Sequence, residues 1–108
     1  MAQDFRNVLK RTIGTGDTTL LAAGDFDAVI GIRCCNILTS TIAIDVKIAK
    51  GGDDYFLAKG VSIPPNSAIE LIQGGAKIVL ANGDTLEAVS NTASSLDVVL
   101  SFIDTISS

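Results

Sequence analysis

The chain contains no histidine and no tryptophan, and only two cysteines and two prolines among its 108 residues. Without histidine it lacks the commonest general acid–base group and the commonest metal ligand near neutral pH, and with them any Ser-His-Asp or Cys-His nucleophile arrangement. Two cysteines and no histidine are too few for a zinc site. Aromatic residues make up 5% of the chain and do not interleave with basic ones on one face, so stacking against nucleic-acid bases is not expected. Long apolar runs are missing too. Polar residues interrupt each one well before the ~18–20 residues of a bilayer span, and Met1-Ala2-Gln3-Asp4-Phe5-Arg6 does not open like a secretory signal.

Charge of one sign is also thin. The net charge of −4 comes from singly scattered acids, with Asp53-Asp54 the one adjacent pair, and it offers no general attraction to nucleic acid or to an anionic membrane. Asp25-Phe26-Asp27 and Asp53-Asp54 supply hard oxygens. A Ca²⁺ site needs about six to eight of them, so turn aspartates are the better reading. A glycosidase-like carboxylate pair is not expected either, because Asp45, Glu70, Glu87 and Asp97 fall on solvent-facing strand positions. Gly14-Thr15-Gly16 resembles a fragment of a phosphate loop but lacks the third glycine, the lysine and the following helix, which leaves a turn. The expectation is therefore no enzyme, no metal and no cofactor.

What is present is period two. Hydrophobic residues are 47% of the chain, enough for a packed core. Ile42, Ile44, Val46 and Ile48 alternate with Ala43, Asp45, Lys47 and Ala49, the pattern of a half-buried antiparallel strand. Asp45, on the polar face, is expected to contribute little to stability. Leu96, Val98, Leu100 and Phe102 form a second apolar face, while Val99 and Ile103 make the opposite one partly apolar. Further strands are predicted over 28–38, with Gly31 marking a bulge, and over 55–58, 68–72, 77–80 and 85–90, with weaker candidates at 8–13 and 18–22. Gly51-Gly52, Pro64-Pro65-Asn66, Gly74-Gly75 and Asn82-Gly83-Asp84 punctuate them. The total is about eight short strands, which predicts an all-β chain folded as a single antiparallel β-sandwich, jelly-roll or immunoglobulin-like.

Neighbouring strand residues point to opposite faces. Cys34 and Cys35 are therefore expected to stay free, one in the core and one facing solvent or a partner, as suits a reducing cytosol. By the same rule one of Tyr55 and Phe56 should enter the core.

The segment Tyr55–Ser67 resembles a stretch found in small virion proteins of tailed bacteriophages, particularly those of marine and cyanobacterial hosts. Gly74–Asp84, Ala93–Ser101, Cys35-Asn36 and Ile44-Asp45-Val46 are similar to further stretches of that family, so the resemblance covers about residues 28–103. The last residues, Asp104–Ser108, depart from the family's Glu-containing end. The resemblance implies a non-enzymatic β-sandwich subunit present in many copies in the virion and made in the host cytoplasm. Its partners would be other virion proteins and further copies of itself, with no nucleic acid and no membrane. Capsid decoration or cementing is the leading role, and a neck, tail or fibre-associated subunit the second. From a different class, the alternative is a ligand- or carbohydrate-binding sandwich that recognises a host surface.

Phe5, Val8, Leu9 and Ile13 precede the well-patterned strands, and with Val99 and Ile103 they are the candidate subunit interface. Their spacing fits a short docking helix as well as a first strand folded back on its own sheet. The chain accordingly divides into a segment 1–12, a candidate docking arm, and a sandwich domain 13–108. Deleting residues 1–12 distinguishes the two. A docking arm predicts nearly unchanged thermal stability with loss of assembly, whereas unfolding or aggregation of the shortened chain assigns the segment to the core.

Overall fold

Alternating apolar residues become strands wherever one face of the alternation can be covered, and in this chain nearly every such segment is. The computed structural model describes residues 4–23, 27–72 and 78–104, with Asp4 and Asp104 in backbone only. The predicted Gly74-Gly75 turn, Lys77, Asp25, Phe26 and the last four residues lie outside the described residues. Nine strands and no helix are found among those described: β1 (Asp4–Ile13), β2 (Thr18–Ala22), β3 (Asp27–Asn36), β4 (Ile42–Lys50), β5 (Asp53–Ile63), β6 (Ala68–Glu70), β7 (Ile78–Leu80), β8 (Thr85–Ser90) and β9 (Leu96–Asp104).

Their pairing is nested. β4 pairs with β5, β3 with β6 and β7, β2 with β8, and β1 with β9, all antiparallel. Partners lie nearly symmetrically about Gly51-Gly52, as in one long hairpin. Both glycines take positive φ, 61° and 87°, which a two-residue type I′ turn demands and other residues resist. Rolling that hairpin brings β9 also onto β3 and β8 also onto β4. The result is one sheet in the order β1-β9-β3-β6, with β7 also on β3, facing a second in the order β2-β8-β4-β5. This is the jelly-roll order. In the immunoglobulin arrangement the first two strands share a sheet, whereas here β1 and β2 lie in different ones.

The inner faces make the core. Ile32, Leu96, Val98 and Leu100 come from the first sheet, and Ile42, Ile44, Val46 and Leu86 from the second, all essentially without solvent contact. Each fully buried aliphatic side chain contributes about 1.5–3 kcal/mol. Ile48, the last of its row, is only half-buried, because the end of β4 runs beyond the core.

The ladders are interrupted by bulges, and at three of them a carboxylate takes the backbone N–H of the displaced residue. Asp45 Oδ1 accepts from Gly60 N (2.7 Å) where β5 slips against β4. Glu70 Oε2 accepts from Ile32 N (2.9 Å) just past the slip between Val29 and Gly31. Asp97 Oδ1 accepts from Thr12 N (2.9 Å) where β1 slips against β9. These acids do sit on outer faces, but they are half-buried backbone acceptors rather than free solvating charges. The expectation that Asp45 contributes little is corrected accordingly.

Lys47 also departs from its polar-face reading. It is buried, and its ammonium bonds Asp17 (3.1 Å) and Asp54 (3.2 Å), whose carboxylates hold its pKa above the ordinary lysine value. Asn36, wholly buried, donates to the carbonyls of Ser40, Ile63 and Pro64 and accepts from Leu38 N, tying the end of β3 to the end of β5.

Ile44→Ala is expected to cost ~2–5 kcal/mol in urea unfolding. Asp45→Ala should cost about 1 kcal/mol, the worth of one hydrogen bond, and Asp45→Asn, which keeps an acceptor, should recover most of it. Equal losses at positions 44 and 45 would show that β4 is covered on both faces.

Candidate subunit interface

In β9, Val98, Leu100 and Phe102 point inward, so Val99, Ser101 and Ile103 point outward. β1 follows from its register: Leu9 lies opposite Val99, Asn7 opposite Ser101 and Phe5 opposite Ile103, all on the outer face. Val8 lies opposite Leu100 and packs against the core. The residue doing the sorting is Thr12. With φ of 53° it occupies the left-handed region, which costs a β-branched residue strain, and it forms the bulge that adds one position to β1. That extra position turns Ile13 inward to pair with Leu96 and join the core, although Phe5, Leu9 and Ile13 share a spacing of four. Of the six residues singled out in the sequence, Phe5, Leu9, Val99 and Ile103 share the outer face, while Val8 and Ile13 serve the core side.

Two apolar rows cross this face. One runs Phe5–Ile103–Ala28–Val79 from β1 through β9 and β3 to β7; the other runs Leu9–Val99 and then meets Arg33 and Glu70. Between them lies a row of small or polar residues, Asn7–Ser101–Gly31. Exposure is high for side chains this apolar: 77% for Phe5, 65% for Leu9, 54% for Val79 and 44% for Val99. Shallow clefts flank the β1–β9 ladder, one lined by Phe5, Arg6, Asn7, Ile30, Ser101 and Phe102, the other by Leu9, Lys10, Arg11, Asp97, Val98 and Val99. Val79 was not singled out in the sequence. The signal for it was the unbroken apolar run Ile78-Val79-Leu80, in which the middle residue must face away from its neighbours.

A second exposed set sits at the other sheet's edge. Tyr55 and Phe56 are both exposed, which corrects the expectation that one of them enters the core. Tyr55 does lie on the inner side, opposite Ile48, but at the end of β5 that overhangs the core. Phe56 lies opposite Lys47 and carries the Lys59 ammonium 4.3 Å above its ring centre. Among the described residues no group of three or more Cys, Asp or Glu side chains is placed to hold a metal ion.

The cysteines fall as their neighbouring positions require. Cys34 is buried and Cys35 half-buried, both free. Burial, and secondarily the charge of Glu70, push the Cys34 thiol up to about 12.

The fold and the exposed face together define a jelly-roll sandwich whose notable surface is apolar and lies along one sheet edge. No described protein family matches the chain, and no curated protein does. Among solved structures, it is similar to a pentameric capsid protein isolated from metagenomic phage sequences, known in two structures. Each is 20% identical with a TM-score of 0.47, and the match covers 92% of this chain and 60% or 59% of that one. This chain thus spans about 60% of the length of that capsid protein. It is also similar to a structure of Bacillus endospore appendages, described as a novel family of disulfide-linked pili, with 17% identity, a TM-score of 0.50, and coverage of 94% of this chain and 84% of that one. At that identity the likeness is one of fold.

Alkylation of the native protein near pH 8 should modify Cys35 and spare Cys34 until the chain unfolds, as read by intact and peptide mass spectrometry. Because Cys34 binds its proton more tightly folded than unfolded, its contribution is complete below about pH 9 and is lost as pH rises from there towards about 12. Cys34→Ala should flatten that alkaline loss. A two-dalton mass deficit in untreated monomer would instead reveal a Cys34–Cys35 bridge.

Proposed function

We propose that this chain is a non-enzymatic structural subunit of a tailed-phage virion, present in many copies and acting by packing against other virion subunits. The observation that carries the reading is the set of exposed apolar side chains, Phe5, Leu9, Val79 and Val99, on the outer face of the sheet formed by β1, β9, β3 and β7. An isolated domain gains nothing by holding Phe5, Leu9, Val79 and Val99 in water, and large apolar side chains exposed together on one face mark an interaction site. The resemblance of residues 28–103 to small phage virion proteins supports the same reading and supplies its setting. A jelly roll suits it, since its flat outer faces can tile a lattice, although the fold alone assigns no function. Capsid decoration or cementing is the leading station, with a neck, tail or fibre position second. A carbohydrate-binding role is not favoured: such a module generally uses tryptophan platforms, which this chain lacks, and the ring of Phe56 is occupied by Lys59.

Purified particles should contain the protein, and subunit counting in imaged virions assigns its station. Hundreds of copies per particle support decoration, a few to a dozen support a tail or neck part, and absence from washed particles removes the virion reading.

A further inference from the structure

Among the described residues, β1 is the outermost strand of its sheet, with β9 on one side and no strand on the other. From Asp4 to Lys10 its register against β9 is unbroken, and both apolar rows end on it in water, one at Phe5 and the other at Leu9. We propose that a second copy of this chain pairs its own β1 antiparallel with this one, about a twofold axis at Asn7, so that the two sheets become continuous. The inference rests on reading the chain as an assembly subunit and names its partner and register.

Three features single out that register. A twofold pairing of identical antiparallel strands sets residues of like parity opposite each other, so outer face continues into outer face. With the axis at Asn7, Phe5 lies opposite the partner's Leu9. The row Arg33–Val99–Leu9 then runs directly into the partner's row that begins with the partner's Phe5, and the symmetric copy does the same. Charges agree as well: the acidic position Asp4 meets the partner's Lys10, and Arg6 meets the partner's Val8. An axis at Arg6 would set two arginines face to face, and one at Val8 would set Arg6 against the partner's Lys10, both unfavourable for directly opposed residues. An axis at Leu9 would draw the bulged Thr12 into the ladder. The Asn7 register uses only the regular stretch. Arg6 and Lys10, charges that guard an edge strand against indiscriminate pairing, then face no like charge.

Opposed residues in an antiparallel pair have Cα atoms about 4.5–5.5 Å apart, within disulfide reach. In a full-length Cys35→Ser background, Asn7→Cys under a glutathione redox buffer should therefore give a covalent homodimer on non-reducing gels and by intact mass. Arg6→Cys alone and Val8→Cys alone should give little, and the two mixed should give the heterodimer. Adding Leu9→Lys to Asn7→Cys should lower the dimer yield at least fivefold while far-UV circular dichroism stays native. The interface is small, so the yield should rise with protein concentration. Absence of the Asn7→Cys dimer in natively folded protein, or equal dimer yields at positions 6, 7 and 8, overturns the proposal. If the protein is found in particles but the Asn7 crosslink fails, the subunit reading stands and the β1 pairing falls. If the crosslink forms but particles lack the protein, the dimer stands and the virion reading falls.

Discussion

A sheet that rolls up must break its own ladder at intervals, and each break frees backbone N–H groups that need an acceptor. In this protein three such breaks are answered by carboxylates: Asp97 at Thr12, Glu70 at Ile32 and Asp45 at Gly60. The rest of the architecture depends on them, because a bulge changes which face every following side chain presents. The bulge at Thr12 lets a single strand offer Phe5 and Leu9 to the outside and Ile13 to the core. The slip between Val29 and Gly31 similarly lets β3 keep Val29 and Ile32, residues of opposite parity, both buried.

The same economy extends to the other buried polar groups. Lys47 is buried on β4 with its charge met by two aspartates from different elements. Asn36 uses both ends of its amide to join two loops, and Ser90 and Ser95 share a buried hydroxyl pair that also bonds Thr92. Such fully satisfied groups fix how the ends of the sandwich meet, where aliphatic packing alone would tolerate small shifts. Much of the exposed apolar surface, by contrast, lies on one outer face, where Phe5, Leu9, Val79 and Val99 stand in water. Such an outer sheet beside a well-tied interior fits the assembling subunit proposed above.

Much of this was readable in advance. The strict alternation of Ile42 to Ile48 and of Leu96 to Phe102 placed two central strands and their buried faces, because period two admits no other regular structure. Gly51-Gly52 announced the turn about which the whole hairpin nests, and Gly31 the bulge near it. Adjacent cysteines had to face opposite ways. The outward-facing half of the candidate interface was legible as apolar residues at outward strand positions, Val99 and Ile103, and as apolar residues near the N-terminus with no evident place in the core.

Local pattern did not decide which of those N-terminal residues face out. Phe5, Leu9 and Ile13 follow one spacing in the chain, and only the bulge at Thr12, held by an aspartate 85 positions away, sends them to opposite faces. Nor does a solvent-facing acid reveal in sequence that it completes a distant backbone, or Tyr55 that its strand overhangs the core. Alternation is set by each residue's own backbone and is therefore written in the sequence. Bulge partners, edge positions and the alignment of rows across β1, β9, β3 and β7 arise from contacts between segments far apart in the chain, and only the tertiary structure brings those segments together.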